Sequence, residues 1–364
     1  MNIFKRHLFK GIQLSKCSIC AAASIFTTIA ILTCSCNSGE KREGYITSEG
    51  FAQGSTYRII YQLPQSADTS SFCKMVEDSI ALWFNRIDCS VSGYNSESSL
   101  SRYNSGTNSN VDQIFADIFE ESYKYYKLSG GLFDPSAAPL FDLWGFGFKN
   151  GTEPSQATID SIKTCIGMDK LILERSAGGA YVHNPDSLSS NIIQLNFNAI
   201  AQGYTVDYMG KGLEQMGIEN YLVEVGGEVM CRGVNSRGNN WSIGIDKPVD
   251  GNNISGEMIQ AVIEVSGKGV VTSGNYRKFY VKDGVKYSHT IDPTTGRPVT
   301  HSLLSATVVA TTGTEADAYA TIFMVMGVEK SKEFLAAHPE LDALLIYQNG
   351  ESLEQFATPG IVIK

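Results

Sequence analysis

The sequence predicts an α+β fold built mainly from antiparallel sheets with packed helices. Three observations lead there. Stretches with helical spacing of apolar residues are mixed with short β-rich segments. The second half carries several such segments at close spacing. Helices and strands nowhere settle into the regular alternation of a doubly wound parallel sheet.

The elements follow in order. Phe51 to Tyr61 alternates and reads as a strand. Ser71 to Asp88 places Phe72, Met75, Val76, Ile80, Trp83 and Ile87 on one helical face. Ser90 to Asn110 is rich in Ser, Asn and Gly and reads as loop. Val111 to Leu128 is a second amphipathic helix, stopped by Ser129-Gly130-Gly131. Asp134 to Gly147 is irregular, and Ser155 to Ile166 is helical after Pro154. Ile192 to Phe197 reads as a strand running into a helix over Asn198 to Met216. Tyr221–Val225, the surroundings of Val229, Trp241–Asp246, Gln260–Val265, Val270–Thr272, Tyr276–Val281 and Ala306–Ala310 read as strands. Thr314 to Met326 and Lys330 to Ala337 are helices, closed by Gly327 and Pro339. Leu341–Tyr347 and Ile361–Ile363 are late strands.

The first residues stand apart from this fold. Lys5, Arg6, Lys10 and Lys16 precede an apolar run from Ile19 to Leu32, which reads as a secretory leader. The run is too short and too rich in Ser and Thr to read as a membrane span. Cysteines at its end point to lipoprotein processing. Cys36 is the favoured lipidation site, with small Ser35 before it and polar Asn37 and Ser38 after it; Cys34 follows the bulkier Thr33. Cleavage of a plain signal peptide nearby is the alternative. The expected organisation is a leader over 1–35, a polar tether over 36–50 and one domain over 51–364, with the protein exported, anchored in a membrane and facing the periplasm. The formal charge is −9, and losing the leader's basic residues makes the chain more acidic. Without basic runs, nucleic acid is excluded as a partner. No CxxC spacing survives beyond the leader, which removes zinc knuckles and thioredoxin chemistry. Cys73 and Cys89 either pair or remain thiols.

Chemistry concentrates in a few segments. Asp317 and Thr321 are four residues apart on a helix, so both face one side. Hard oxygen ligands at that spacing suit Mg²⁺ and phosphate chemistry. The competing reading makes Thr314 the N-cap with Asp317 in a capping box, and Thr321 bonded back to a helical carbonyl. The junction Leu195-Asn196-Phe197-Asn198-Ala199-Ile200-Ala201-Gln202-Gly203 offers backbone groups to an anion or a metal, or is an ordinary turn. Asp134, in Ser129-Gly130-Gly131-Leu132-Phe133-Asp134-Pro135, either bonds a nucleotide or makes an Asx-turn. His289, beside Ile291-Asp292-Pro293, is either a proton shuttle or a packed histidine.

Together and in order, these segments resemble the ApbE family of flavin transferases. The resemblance spans about Gly50 to Gly327. Its anchors are Ser129 to Pro135, Thr272-Ser273-Gly274-Asn275-Tyr276-Arg277, Ser288-His289-Thr290-Ile291-Asp292-Pro293 and the helix start from Glu315 to Thr321. It implies an ApbE-like, T-fold-related architecture. It also implies Mg²⁺-dependent transfer of FMN from FAD to a Thr or Ser hydroxyl of an acceptor protein, with release of AMP. The acceptor would be a membrane-linked electron-transfer subunit. By the same resemblance the metal ligands fall on Asp317, Thr321 and the Ala199 carbonyl, and the transfer histidine on His289. FAD contacts fall on Tyr94, Leu132, Phe133, Asp134, Asn196, Gln202 and Ile291, with Ser273 and Gly274 lining the same cleft. The chain departs from the family at Gln53-Gly54-Ser55, where Met-Gly-Thr is usual, so Gln53 takes the place of a nucleotide contact. It departs again at Asn196, Gln202 and Ala320. Mg²⁺-dependent hydrolysis of FAD to FMN and AMP, and FAD binding without turnover, are the rival readings.

Overall fold

A computed structural model describes residues 44–65, 67–145, 154–176, 179–185, 192–249, 256–275, 279–282, 285–288 and 290–364. The expected leader, Cys36, most of the expected 36–50 tether and His289 lie outside the described residues.

The chain begins with β1 (Tyr45–Ala52) and β2 (Ser55–Gln62), followed by α1 (Thr69–Val91), α2 (Ser99–Asn104), β3 (Asn110–Val111) and α3 (Gln113–Leu128). Next come α4 (Ala138–Leu143), α5 (Gln156–Thr164), β4 (Ile172–Ser176), β5 (Gly179–His183) and α6 (Ala201–Gln215). The central strands are β6 (Tyr221–Val225), β7 (Glu228–Arg232), β8 (Trp241–Asp246), β9 (Ile259–Val265) and β10 (Lys268–Gly274). The chain then forms β11 (Phe279–Lys282), β12 (Val285–Ser288), β13 (Ile291–Asp292), β14 (Arg297–Pro298) and β15 (Leu303–Ala310). It closes with α7 (Gly313–Met326), α8 (Val328–Ala337), β16 (Asp342–Asn349) and β17 (Ser352–Ala357).

Eight strands form one sheet in the order β1-β2-β6-β7-β10-β15-β16-β17. Every pairing in it is antiparallel. This is the α+β class the sequence predicts. Alternation along the strands divides the sheet into two faces. Val271, Ala306, Val308 and Ala310 join Ala316, Ala320 and Phe323 of α7 in the largest core. Val270, Val309, Leu344 and Ile346 point the other way and pack on Trp241, Ile245 and Ile263 of the β8–β9 hairpin.

Several elements differ from expectation. The strand read over Phe51–Tyr61 is the tip and second arm of a hairpin. Its turn is Gln53 (φ 52°) and Gly54 (φ 74°), the left-handed geometry that reverses a strand in two residues. β1 therefore occupies residues read as tether. The loop over Ser90–Asn110 contains α2, because the Ser98 side chain accepts the Ser101 N–H as an N-cap. Ile192–Phe197 is not a strand in the sheet. Its polar backbone is satisfied by the Asn104 side chain, which bonds both the N–H and the carbonyl of Leu195 at 2.8 Å. The helix after it starts at Ala201. Ile361–Ile363 is reduced to an isolated bridge between Ile363 and Ile263. Cys73, Cys89, Cys165 and Cys231 are free thiols, so the Cys73–Cys89 pair does not form.

Candidate active site

Two helices meet where the chemistry is expected. α6 and α7 come close because Gly203 and Gly313 carry no side chain at the contact. A Cβ on Gly203 would lie 2.7 Å from the Asp317 Cβ and against the Gly313 carbonyl. The two helices cap one another. Asp207 of α6 accepts the N–H groups of Gly313 and Thr314 at 2.7 and 2.8 Å and the Thr314 hydroxyl at 2.5 Å. Asp317 of α7 in turn accepts the Gly203 N–H at 3.0 Å. Each carboxylate thus satisfies donors in the first turn of the other helix.

That arrangement removes the capping-box reading of Asp317. The N-cap of α7 is Thr312, whose side chain accepts the Glu315 N–H at 3.1 Å; Thr314 instead donates to Asp207. Asp317 is therefore not the partner of a Thr314 cap. Thr321 makes no side-chain hydrogen bond among the described residues, so the back-bonded alternative is absent too. Asp317 is 5% exposed in a helix that is apolar nearly all round. Burial, with a further contribution from the Asp207 charge, pushes its pKa up to about 7, against the pull of the Gly203 N–H.

The Gly203 bond has a consequence one turn back. The Gly203 N–H points to Asp317 and not to the carbonyl of residue 199. Among the described residues the Ala199 carbonyl accepts no hydrogen bond. The second Asp317 oxygen, the Thr321 hydroxyl and the Ala199 carbonyl are three bare hard oxygens on one cleft wall. No cluster of three or more His, Cys, Asp or Glu side chains able to hold a metal occurs among the described residues. One carboxylate, one hydroxyl and one carbonyl nevertheless form a donor set of the kind Mg²⁺ takes when it keeps waters and phosphate oxygens as its other ligands.

The cleft holds about 360 Å³. Of the residues expected in the site, Tyr94, Leu132, Phe133, Asp134, Asn196, Ala199, Ser273, Gly274, Ile291, Asp317 and Thr321 line it. Tyr94 stands at the rim, 84% exposed. Asp134 is also an Asx-turn, its Oδ1 accepting the N–H and hydroxyl of Ser136 at 2.9 and 2.6 Å, and burial raises its pKa. Asn196 braces the turn before α6, its Oδ1 accepting the Asn198 N–H at 2.8 Å. Two expected contacts are not on the wall. Gln53 sits at the β1–β2 tip and donates to the Thr205 hydroxyl at 2.9 Å. Gln202 turns its amide over Gly226, beside Glu228.

Sequence reasoning missed Glu228, Phe141, Met324 and Val325 on the wall, and Asp207 behind it. The glycine pair before Glu228 was the available signal for a tightly turned, inward-facing carboxylate. The wall has two characters. Leu132, Phe133, Phe141, Ile291, Met324 and Val325 are apolar; Asp134, Glu228 and Asp317 bring three carboxylates, and no Lys or Arg lines it among the described residues.

The ApbE family model matches residues 53–345. The chain belongs to the ApbE family. It is similar to the FAD:protein FMN transferase of Escherichia coli (strain K12), 36% identical over 276 residues, covering 74% of this chain and 76% of that one. It is similar to the protein of the same name from Vibrio cholerae (strain O395), 32% identical over 327 residues, covering 88% and 92%. Among solved structures, the flavin transferase ApbE from Vibrio cholerae superposes with a TM-score of 0.73 at 30% identity, over 86% of this chain and 97% of that one. The apo flavinyl transferase ApbE of Pseudomonas stutzeri gives 0.75 at 28% identity, over 86% and 95%. In this ApbE-family chain the cleft gathers residues from α7, the turn before α6, β10 and the loops at Leu132 and Ile291.

Proposed function

We propose that the protein is an FAD:protein FMN transferase that uses Mg²⁺, takes FAD as substrate, attaches FMN to a Thr or Ser hydroxyl of an acceptor protein and releases AMP. The observation that carries this reading is the acidic cleft itself. Burial raises the pKa of both Asp134 and Asp317, so this wall suits a cation that keeps Asp317 ionised and meets the diphosphate, and three bare oxygens stand ready for one. Asp317, Thr321 and the Ala199 carbonyl would hold Mg²⁺. Bound there, the ion would supply neutralisation of the diphosphate charge.

This chain's own groups do the rest. The apolar wall of Phe133, Phe141, Ile291 and Met324 suits a flat ring, and Asn196, Ser273 and Gly274 suit phosphate and ribose oxygens. Asp317 is fixed by the Gly203 N–H, so positioning is prepaid. The reading includes His289 as a carrier of the acceptor proton, directly or through water. The acceptor is a membrane-linked electron-transfer subunit, and this protein reaches it as an exported lipoprotein anchored through Cys36.

Incubation of the mature protein with FAD, Mg²⁺ and a co-expressed candidate acceptor tests the reaction. A fluorescent acceptor band with AMP released in equal amount is the expected result. Free FMN without labelled protein would mean that water, and not a protein hydroxyl, is the acceptor. Intact FAD after prolonged incubation would mean a binding protein.

A further inference from the structure

The residues of α7 that meet the cleft form one stripe. Asp317 and Thr321 carry oxygen donors, and Met324 and Val325 continue the same wall one turn later. The two ends of the stripe are held by different means. Asp207 fixes the first turn of α7, and the Gly203 N–H holds Asp317. The last turn lacks such support, because its carbonyls have no following helical N–H. Met324 lies in that turn, and its carbonyl faces His301 Nε2 at 2.9 Å. The Leu303 N–H donates to His301 Nδ1 at 3.3 Å, so the proton of the neutral ring sits on Nε2 and is given to the Met324 carbonyl. Gly327 makes room for the ring: a Cβ there would lie 2.8 Å from His301 Cδ2. Leu303 opens β15, and its carbonyl accepts the Asn275 side-chain amide at 2.9 Å. Asn275 directly follows Ser273 and Gly274, which line the cleft from β10. One bridge therefore runs from the α7 wall through His301 and Leu303 to the β10 wall.

We infer that His301 is a positioning residue: by holding the Met324 carbonyl from behind, it sets the apolar wall on which the flat ring of FAD rests. This rests on the transferase reading above. His301 is not on the cleft wall and acts through Met324 and Val325. That wall meets substrate and transition state alike. Loss of the bond therefore raises the KM for FAD and leaves kcat in place.

Two substitutions separate the two ring nitrogens. H301Q keeps an N–H donor where Nε2 stood, and H301N keeps an acceptor oxygen where Nδ1 stood. FAD affinity is read by flavin fluorescence with Mg²⁺ present, and kcat and KM by AMP release with an acceptor. H301N is expected to weaken FAD binding and raise KM by about 3- to 10-fold, the scale of one net hydrogen bond, with kcat within about threefold of wild type. H301Q is expected to keep all three values within about threefold of wild type. Equal FAD affinities in the two variants would overturn the assignment, and so would a fall in kcat larger than the loss of affinity. The wild-type protein gives a second reading, independent of how the variants fold. With only five histidines to label, ¹⁵N spectra of the FAD complex at neutral pH are expected to show His301 as the Nε2–H tautomer; the Nδ1–H tautomer would overturn it. An acceptor left unmodified by the wild-type protein is a different failure. It removes the transferase reading, while the FAD affinities still decide the role of His301.

Discussion

Asp317 is a carboxylate inside an apolar helix, and its only described hydrogen bond is the Gly203 N–H. Burying a charge that way is costly unless a cation or a proton answers it. Asp317→Ala is expected to fold, to bind no Mg²⁺ in the cleft and to lose AMP release by at least about 10²-fold, the scale of a removed electrostatic stabiliser; a calorimetric Mg²⁺ titration and an AMP assay check both. That it shares a cleft wall with Thr321 was legible, because a four-residue spacing on a helix fixes the face. Asp207 was not, because its bonds to Gly313 and Thr314 join residues more than a hundred positions apart. His301 supplies a pH prediction. Its Nδ1 faces the Leu303 N–H at 3.3 Å and its Nε2 the Met324 carbonyl at 2.9 Å, and burial holds its pKa below the ordinary value. The folded state then binds fewer protons than the unfolded one. Stability from this group is complete above about pH 6.5 and is lost as the pH falls towards the folded pKa. Urea denaturation at a series of pH values should show this decline, and His301→Gln should flatten it.

At the scale of elements, the α6–α7 crossing decides whether the oxygen donors converge. Gly203→Ala would push a methyl into the Gly313 carbonyl and the Asp317 Cβ. The expected cost is about 1–3 kcal/mol of stability from overpacking, with a larger proportional loss of turnover because Asp317 moves; denaturation midpoints and AMP release measured on one preparation separate the two. Asp207→Ala strands two buried N–H groups, and is expected to lower unfolding free energy by about 3 kcal/mol. Long periodic helices such as α1 and α3 could be read from the sequence within a few residues. The β1–β2 hairpin could not, because Gln53 takes a left-handed conformation that Gln rarely adopts. Nor could the unpaired run before α6, whose apolar, β-rich residues satisfy their backbone through a side chain of α2.

For the whole molecule, one antiparallel sheet with helices on one face and a hairpin on the other was legible as a class from the irregular order of helices and strands. Strand order was not legible, since β6 and β2 pair across more than a hundred residues. The site was read largely from motif resemblance. Local pattern alone left Asp134 and Asp317 divided between ligand contact and turn chemistry, and Asp134 turns out to lie on the cleft while also holding its turn. The proposed export is tested on the whole molecule as well. Expressed from Met1, the protein is expected to partition into detergent and to carry lipid on Cys36, and Cys36→Ala to remain in the aqueous phase; mass spectrometry of the N-terminal peptide reads the modification directly.

The central claim is that Asp317, Thr321 and the Ala199 carbonyl grip a divalent ion against the diphosphate of FAD. Anomalous diffraction from crystals grown with Mn²⁺ and FAD addresses it without an activity assay. The expected result is one peak about 2.0–2.3 Å from all three oxygens and from phosphate. Flavin nucleotide in the cleft with no peak there, and Asp317 bonded only to Gly203, would contradict it.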